Sequence, residues 1–189
     1  VIDQKWFLDG VYAVLQRPLD EDDENEVWSA LHRDPVFTRE RLAELVWDRA
    51  DVEPRYSPDE QELLLHFMTA MGLCFPLVEG SQAWAGVTSY VSIQHLRKDA
   101  DDPVSASFDA YYSGDGAFTR GERTVASLHV GLWERALAWL GGLFGGDGRY
   151  AEDVVVIERN KANRSILVRC SIDPGGIGGT IEVRVSGPD

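Results

Sequence analysis

The sequence predicts an α+β fold in which a helical, winged-helix-like N-terminal part precedes a second part with a long helix and an antiparallel sheet. Three observations support it. A well-capped amphipathic helix begins at Ser57 and leads directly into an apolar, strand-like stretch. Three segments with strand alternation close the chain. The charge is also uneven, because residues 1–102 carry 9 Lys+Arg against 21 Asp+Glu (−12) and residues 103–189 carry 9 against 11 (−2).

Helical patterns fill the first part up to the Ser57 helix. Asp3 can cap a helix that Pro18 ends, with an inward face of Phe7, Val11, Val14 and Leu15. The acidic run LDEDDENE is interpreted as a solvated loop that enters a short helix from Glu24 to Arg33. After the Asp34-Pro35 turn, Thr38 can cap a further helix that ends at Trp47, with inward side chains Leu42, Leu45 and Val46.

The Ser57 helix has an S-x-x-E capping box with Glu60 and a terminating Gly72. Its apolar residues predict a buried stripe of Leu63, Phe67 and Met71, flanked by Leu64 and Met68. Two strands, Leu73–Val78 and Ala83–Val87, are expected to form a hairpin around Glu79-Gly80. Helices followed by such a hairpin are typical of a winged helix, and the same elements also serve as protein-interaction modules.

The charged stretch Arg97 to Pro103 predicts a boundary between a subdomain over 1–98 and a subdomain over 104–189. A strand is expected from Ser105 to Tyr112, followed by a long helix from Thr119 to about Phe144. Gly145 to Gly148 should end that helix. Three antiparallel strands are then predicted, over Tyr150–Glu158, Arg164–Ile172 and Thr180–Val185.

The long helix is predicted to be apolar over more than half its circumference. One stripe consists of Val130, Trp133, Leu137, Leu140 and Phe144, and the adjoining one of Val125, Leu128, Leu132, Ala136 and Trp139. Such a helix should be covered by its own sheet and by something else. Core packing is the first interpretation of the second stripe, and a partner surface is the other.

Composition limits the function classes. The chain has 189 residues, is 44% hydrophobic and carries a net charge of −14, which repels polyanions and disfavours nucleic-acid binding. No run of about 18 apolar residues predicts a membrane span, and the first residues resemble no signal peptide, so a cytoplasmic protein is expected. Because Val1 leads directly into a helical pattern, we expect a segment of a larger protein.

No motif for catalysis, cofactor binding or metal binding is found, so the chain is predicted not to be an enzyme and to need no cofactor. The glycine clusters GGLFGGDG and DPGGIGG lack the Lys-Ser/Thr of a P-loop, and no G-x-S-x-G elbow is present. The four histidines have no zinc-site spacing, and Cys74 and Cys170 are predicted to be buried thiols. An enzyme with a dispersed site stays an alternative.

Four segments in order carry a family resemblance: DQKWFLDGVYAVL, VFTRERLAELVW, SPDEQELLLHFMTAMGLCFPL and SYVSIQHL. Together they resemble the COR domain, the segment C-terminal to the Roc GTPase in Roco proteins. The similarity covers Ile2 to Leu96, and it is looser over the second part. The chain departs from the family pattern at Gln4 and Ser92, where proline is usual, and in the helical-looking WERALAWL.

The resemblance implies a non-catalytic regulatory and dimerisation module of a larger Roco-type GTPase. Its implied partners are the Roc GTPase domain of the same chain and a second copy, with no nucleic acid. The candidate GTPase-facing surface consists of Phe108, Tyr111, Tyr112 and Phe118. These aromatics could instead fill the second core, and a winged-helix nucleic-acid-binding or other adaptor module is the alternative function.

Overall fold

A computed structural model describes residues 4–16, 25–49, 55–77, 89–100, 104–106, 108, 130–159, 164–174 and 178–186, together with the backbone of 118–125. It confirms the α+β class, with helices gathered in the first half, one long helix in the second, and two antiparallel sheets.

Four helices precede the first hairpin. Their bounds are α1 (Gln4–Leu15), α2 (Glu26–Arg33), α3 (Arg39–Leu42, continued by a π-turn Ala43–Trp47) and α4 (Pro58–Ala70). The Asn25 side chain accepts a hydrogen bond from the Trp28 amide at 3.0 Å and so caps α2. Thr38 caps α3 as predicted, because its hydroxyl accepts from the Arg41 amide at 3.3 Å.

The start and end of α4 agree with the sequence, but its buried face does not. The Glu60 carboxylate accepts from the amide and the hydroxyl of Ser57, at 2.8 and 2.7 Å, and Gly72 follows the helix with a φ of +74°. The predicted stripe through Leu63 and Met71 is wrong, since both are exposed. The buried residues are Gln61, Leu64, Leu65 and Met68, because α1 packs one side-chain row further round the helix.

Close packing and two buried hydrogen bonds hold the helical core together. A Cβ at Gly10 would lie 2.7 Å from Cδ1 of Leu64, so α1 and α4 approach through a position without a side chain. The Trp47 indole donates to the Gly10 carbonyl at 3.0 Å, and the Tyr56 hydroxyl donates to the Trp6 carbonyl at 2.9 Å. Each aromatic ring is therefore buried with its polar atom satisfied.

The first sheet has three antiparallel strands in the order β1-β3-β2. They are β1 (Val36–Thr38), β2 (Cys74–Leu77) and β3 (Ser89–Ser92), and a 3₁₀ turn, Ile93–His95, follows β3. The sequence predicted β2 but missed β1, which is only three residues long and precedes a helix. The predicted partner strand, Ala83–Val87, lies outside the described residues, and β3 pairs with β2 instead.

The second sheet has five antiparallel strands in the spatial order β4-β8-β7-β6-β5. A long helix, α5, lies between β4 and β5 in the sequence. The bounds are β4 (Phe118–Val125), α5 (Val130–Phe144), β5 (Gly148–Tyr150), β6 (Val154–Arg159), β7 (Arg164–Ile172) and β8 (Gly179–Ser186). The predictions for β7 and β8 are confirmed, with β8 one residue longer at each end.

Three predictions in this part are wrong. The helix does not begin at Thr119, because residues 118–125 form β4 and pair with β8 over eight residues. The β-branched residues there favour a strand, and the glycine disfavours a helix. Tyr150–Glu158 is two strands, separated by a turn in which the Ala151 amide donates to the Val154 carbonyl at 2.8 Å. Residues 105, 106 and 108 are helical, not part of a strand.

Both faces of strand β6 are covered. Val155 and Ile157 face the cluster that contains α5 and the first sheet, whereas Val154 and Val156 face Phe108 and its neighbours. This explains the uninterrupted apolar run VVVI, since a strand buried on both sides needs no polar alternation. The cluster around α5 also contains Phe75, Val91, Ile93 and Leu96, so the two parts of the chain share a hydrophobic core.

The stretch expected to be a linker is fixed to the second sheet by Asp99. This side chain is only 8% exposed, and its carboxylate accepts from the Ser105 amide at 2.7 Å, from the Ser105 hydroxyl, and from Arg169 at 2.6 Å. Burial alone would raise the pKa of Asp99, but these hydrogen bonds and the Arg169 charge lower it below its usual value. The boundary over Arg97 to Pro103 stays a prediction, and the residues that can be described there are firmly anchored.

Candidate protein-binding surface

The inner face of α5 packs between the two sheets. Trp133 and Leu137 are buried there, and Leu140 and Phe144 of the same predicted stripe are half-buried. The side chain of Val130, which begins the stripe, lies outside the described residues. The Trp133 indole donates to the Glu152 carbonyl at 2.6 Å, which joins the helix to the turn between β5 and β6. This face is a true core element.

Two adjacent glycines mark the two sides of the helix. A Cβ at Gly141 would overlap the ring of Phe75 on β2, so only glycine permits this approach. A Cβ at Gly142 would meet nothing within 4 Å. The helix is therefore in close contact on one side and open on the other.

The outer face of α5 exposes three large apolar side chains. Leu132, Trp139 and Leu143 are 56%, 65% and 57% exposed. Their spacing of seven and four residues aligns them along one stripe, hereafter the outer stripe. Single exposed apolar residues are ordinary, but a row of them that includes a tryptophan is characteristic of protein interfaces.

Another exposed apolar residue lies close to this helix. Gly72 lies against α5, where an added Cβ would be 3.5 Å from Cβ of Ala138. Its neighbour Met71 is exposed, contrary to the prediction that it is buried.

The C-terminal part of the outer stripe, around Trp139 and Leu143, has no charge in the sequence next to it. No charged residue occurs from Ala136 to Gly146, although the chain carries 32 Asp+Glu against 18 Lys+Arg, and the charged residue nearest in sequence on this face is the exposed Arg135. Two copies of so acidic a protein repel each other through most of their surface. The outer stripe is a place where they can meet without bringing carboxylates together.

Of the candidate GTPase-facing residues, Phe108 is the one whose side chain the structure describes, so the proposed surface stays a prediction. Phe108 is 2% exposed and packs with Val154, Val156 and Leu167. Phe118 begins β4 opposite Ser186. Tyr111 and Tyr112 lie outside the described residues.

The described residues contain few groups suited to chemistry. Within them, no three His, Cys, Asp or Glu side chains converge as metal ligands. Cys74 and Cys170 are free and buried as predicted; burial raises the pKa of the Cys74 thiol to about 11 and also raises that of Cys170. Neither thiol has the lowered pKa of a nucleophile.

Sequence reasoning found part of this surface and missed the rest. Leu132 and Trp139 belong to the stripe that was expected to need a cover, but Leu143 was assigned to neither stripe. The buried His95, whose Nδ1 shares a 2.7 Å hydrogen bond with the Ser92 hydroxyl, was not singled out either. A helical wheel started at Val130, where α5 begins, would have placed Leu143 beside Trp139.

Comparison with known proteins adds no relative. The chain matches no protein-family model and no curated protein. Among the helices of the described ranges, none combines the length and apolarity that crossing a membrane requires.

Proposed function

We propose that this protein is a non-catalytic regulatory and dimerisation module, in which the outer stripe of α5 binds a second copy of the chain. The observation that carries the proposal is the exposed row Leu132, Trp139 and Leu143. A two-fold interface uses the same patch on both subunits, and a helix face that is apolar and free of carboxylates over residues 136–146 suits such self-complementary contact.

The charge distribution supports a second copy as the occupant. A strongly basic partner would be expected to bind through carboxylates, but residues 136–146 offer none. A helix pair across a two-fold axis would stack Trp139 and Leu143 on their symmetry mates. Rotamer-poor aromatics of this kind often dominate the binding energy.

The Roco-type assignment, with a Roc GTPase domain of the same chain as the second partner, rests on the resemblance of the four sequence segments. The common hydrophobic core of the two parts and the anchored Asp99 are compatible with a relay, because displacement of one part would be transmitted to the other. A cytoplasmic location likewise stays a prediction from the sequence.

Light scattering coupled to size exclusion tests the self-association. The wild-type chain should give twice its mass of 21.1 kDa at high concentration. Trp139→Ala should weaken the dimer by at least about 2 kcal/mol, roughly 30-fold in Kd. Tyr12→Ala is the matched control, because Tyr12 is also 65% exposed but lies on α1. A monomer at all concentrations, or equal loss in both variants, would contradict the proposal.

The GTPase contact has its own measurement. A Roc domain loaded with GDP or with a non-hydrolysable GTP analogue is titrated into the chain by calorimetry. Binding that differs between the two nucleotide states is expected of a regulatory module. The absence of binding in both states would remove the Roco-type assignment and leave self-association standing.

A further inference from the structure

A small cleft lies where α2, the 3₁₀ turn after β3, and α5 meet. It has a volume of about 160 Å³. Trp28 and His32 form one wall, Ile93 and Leu137 contribute apolar surface, and Glu134 and Glu152 also line it. At roughly 30 Å³ for each liquid water, it can hold a group of a few heavy atoms, but not a large ligand.

The Trp28 ring of the aromatic wall is supported by contacts with two histidines. Trp28 and His32 lie one turn apart on α2, and their rings stack with 6.0 Å between centroids and an interplanar angle of 12°. The Trp28 ring also contacts His95, at 4.5 Å between centroids. His95 is itself buried and hydrogen-bonded to Ser92. The indole is therefore held in place before any ligand arrives.

The charge of the cleft is negative and locally uncompensated. Of the described residues that line it, none is a lysine or arginine, whereas two are glutamates. Neither glutamate side chain makes an ion pair or hydrogen bond with any residue that the structure describes. The polar contacts of Glu152 are made by its backbone, with Arg97 and Trp133. Both carboxylates can therefore accept a new donor.

We propose that this cleft binds the guanidinium group of an arginine side chain presented by a protein partner. A planar cation stacks on the face of a tryptophan, and its fork of N–H donors matches carboxylates. The ammonium of lysine would meet the same charge but could not stack as a plane. Free arginine is a poorer ligand, because its α-carboxylate would lie near two glutamates.

This cleft does not depend on self-association. Leu132, Trp139 and Leu143 are not among its lining residues. The described residues of α5 that line the cleft are Glu134 and Leu137. A failure of dimerisation would leave the proposal intact, and the reverse also holds.

Titration of the whole ¹⁵N-labelled chain, followed by NMR, tests it. The probe is Nα-acetyl-arginine N-methylamide, and the Trp28 indole N–H is the reporter. We expect a saturable shift of that signal, and a much smaller one with the citrulline analogue, which has the same shape without the charge. No shift with the arginine probe, or equal shifts with both, would overturn the proposal.

Variants locate the contact. Glu134→Gln and Glu152→Gln should each weaken the arginine probe about tenfold, whereas Glu44→Gln, an exposed glutamate on α3, should not change its affinity. Circular dichroism checks that both variants fold, and neither replacement removes a hydrogen bond or ion pair with a described residue. If neither variant weakens the probe, the carboxylates are not the ligands.

Two further probes assign the chemical group and its source. The matching blocked lysine should bind more weakly than blocked arginine, and equal binding would overturn the choice of a guanidinium. Free L-arginine should also bind more weakly. Equal or tighter binding of the free amino acid would show that the cleft takes a small molecule and would overturn the assignment to a protein side chain.

Discussion

The two faces of α5 are built from the same residue types and differ only in what covers them. On the inner face, Trp133 and Leu137 are buried between the sheets. On the outer face, Trp139 and Leu143 are exposed to solvent. Composition and periodicity cannot separate these faces, because each presents a tryptophan and a leucine. An apolar stripe in the sequence therefore indicates only that this face of the helix should pack against other apolar residues. Whether those residues belong to the same chain depends on the fold.

The largest difference between the faces should be seen with paired leucine substitutions. Leu137→Ala removes most of a buried side chain from the core and should lower the free energy of unfolding by about 2–5 kcal/mol. Leu143→Ala should change it by no more than about 0.5 kcal/mol. Urea unfolding at low protein concentration measures both, so that self-association does not contribute. An equal loss of unfolding free energy in both variants would contradict the claim that one face of α5 is buried and the other exposed.

The adjacent glycines provide a sharper test, since they differ by one position. Gly141→Ala forces a methyl group against the Phe75 ring and should destabilise the fold by about 1–3 kcal/mol. Gly142→Ala points into open space and should stabilise it by roughly 0.5–1 kcal/mol, because alanine favours the helix. Thermal unfolding shows the sign directly. Stabilisation by both substitutions would mean that α5 does not approach β2 so closely.

The smallest effect concerns the two tryptophans when each is replaced by phenylalanine, which keeps an aromatic ring but not the indole N–H. Trp133→Phe removes the indole donor to the Glu152 carbonyl and should cost about 1 kcal/mol. Trp139→Phe should leave the stability of the monomer unchanged, because the Trp139 side chain is largely exposed. Chemical unfolding followed by circular dichroism compares them. A larger loss for Trp139→Phe would show that the outer face is covered within the monomer.

Local signals predicted the elements that depend on neighbouring residues. Three such features were predicted correctly: the Ser57 capping box, the terminating Gly72 and the strand Arg164–Ile172. Helix caps and strand alternation depend on residues only a few positions apart. The candidate surface was predicted only in part. Leu132 and Trp139 were assigned to a stripe that needed a cover, but the sequence did not show that these side chains are exposed.

Elements that depend on distant pairing were not predictable in the same way. The sequence pattern of residues 118–125 was interpreted as part of a helix. They form β4 instead, because each residue pairs with one in β8, which is distant in the sequence. Asp99 lies in a stretch that looks like a solvated linker. Its burial depends on Arg169, 70 residues later in the sequence.

The sequence alone indicated the α+β class, the caps of α3 and α4, the ends of most helices and the acidic composition. Only the tertiary structure decided which apolar face stays open, that the two parts share one core, and that Trp28, His32 and two glutamates line one cleft. The physical reason is range. Helix capping and strand alternation are local, whereas burial, charge compensation and cavities arise only when distant segments meet.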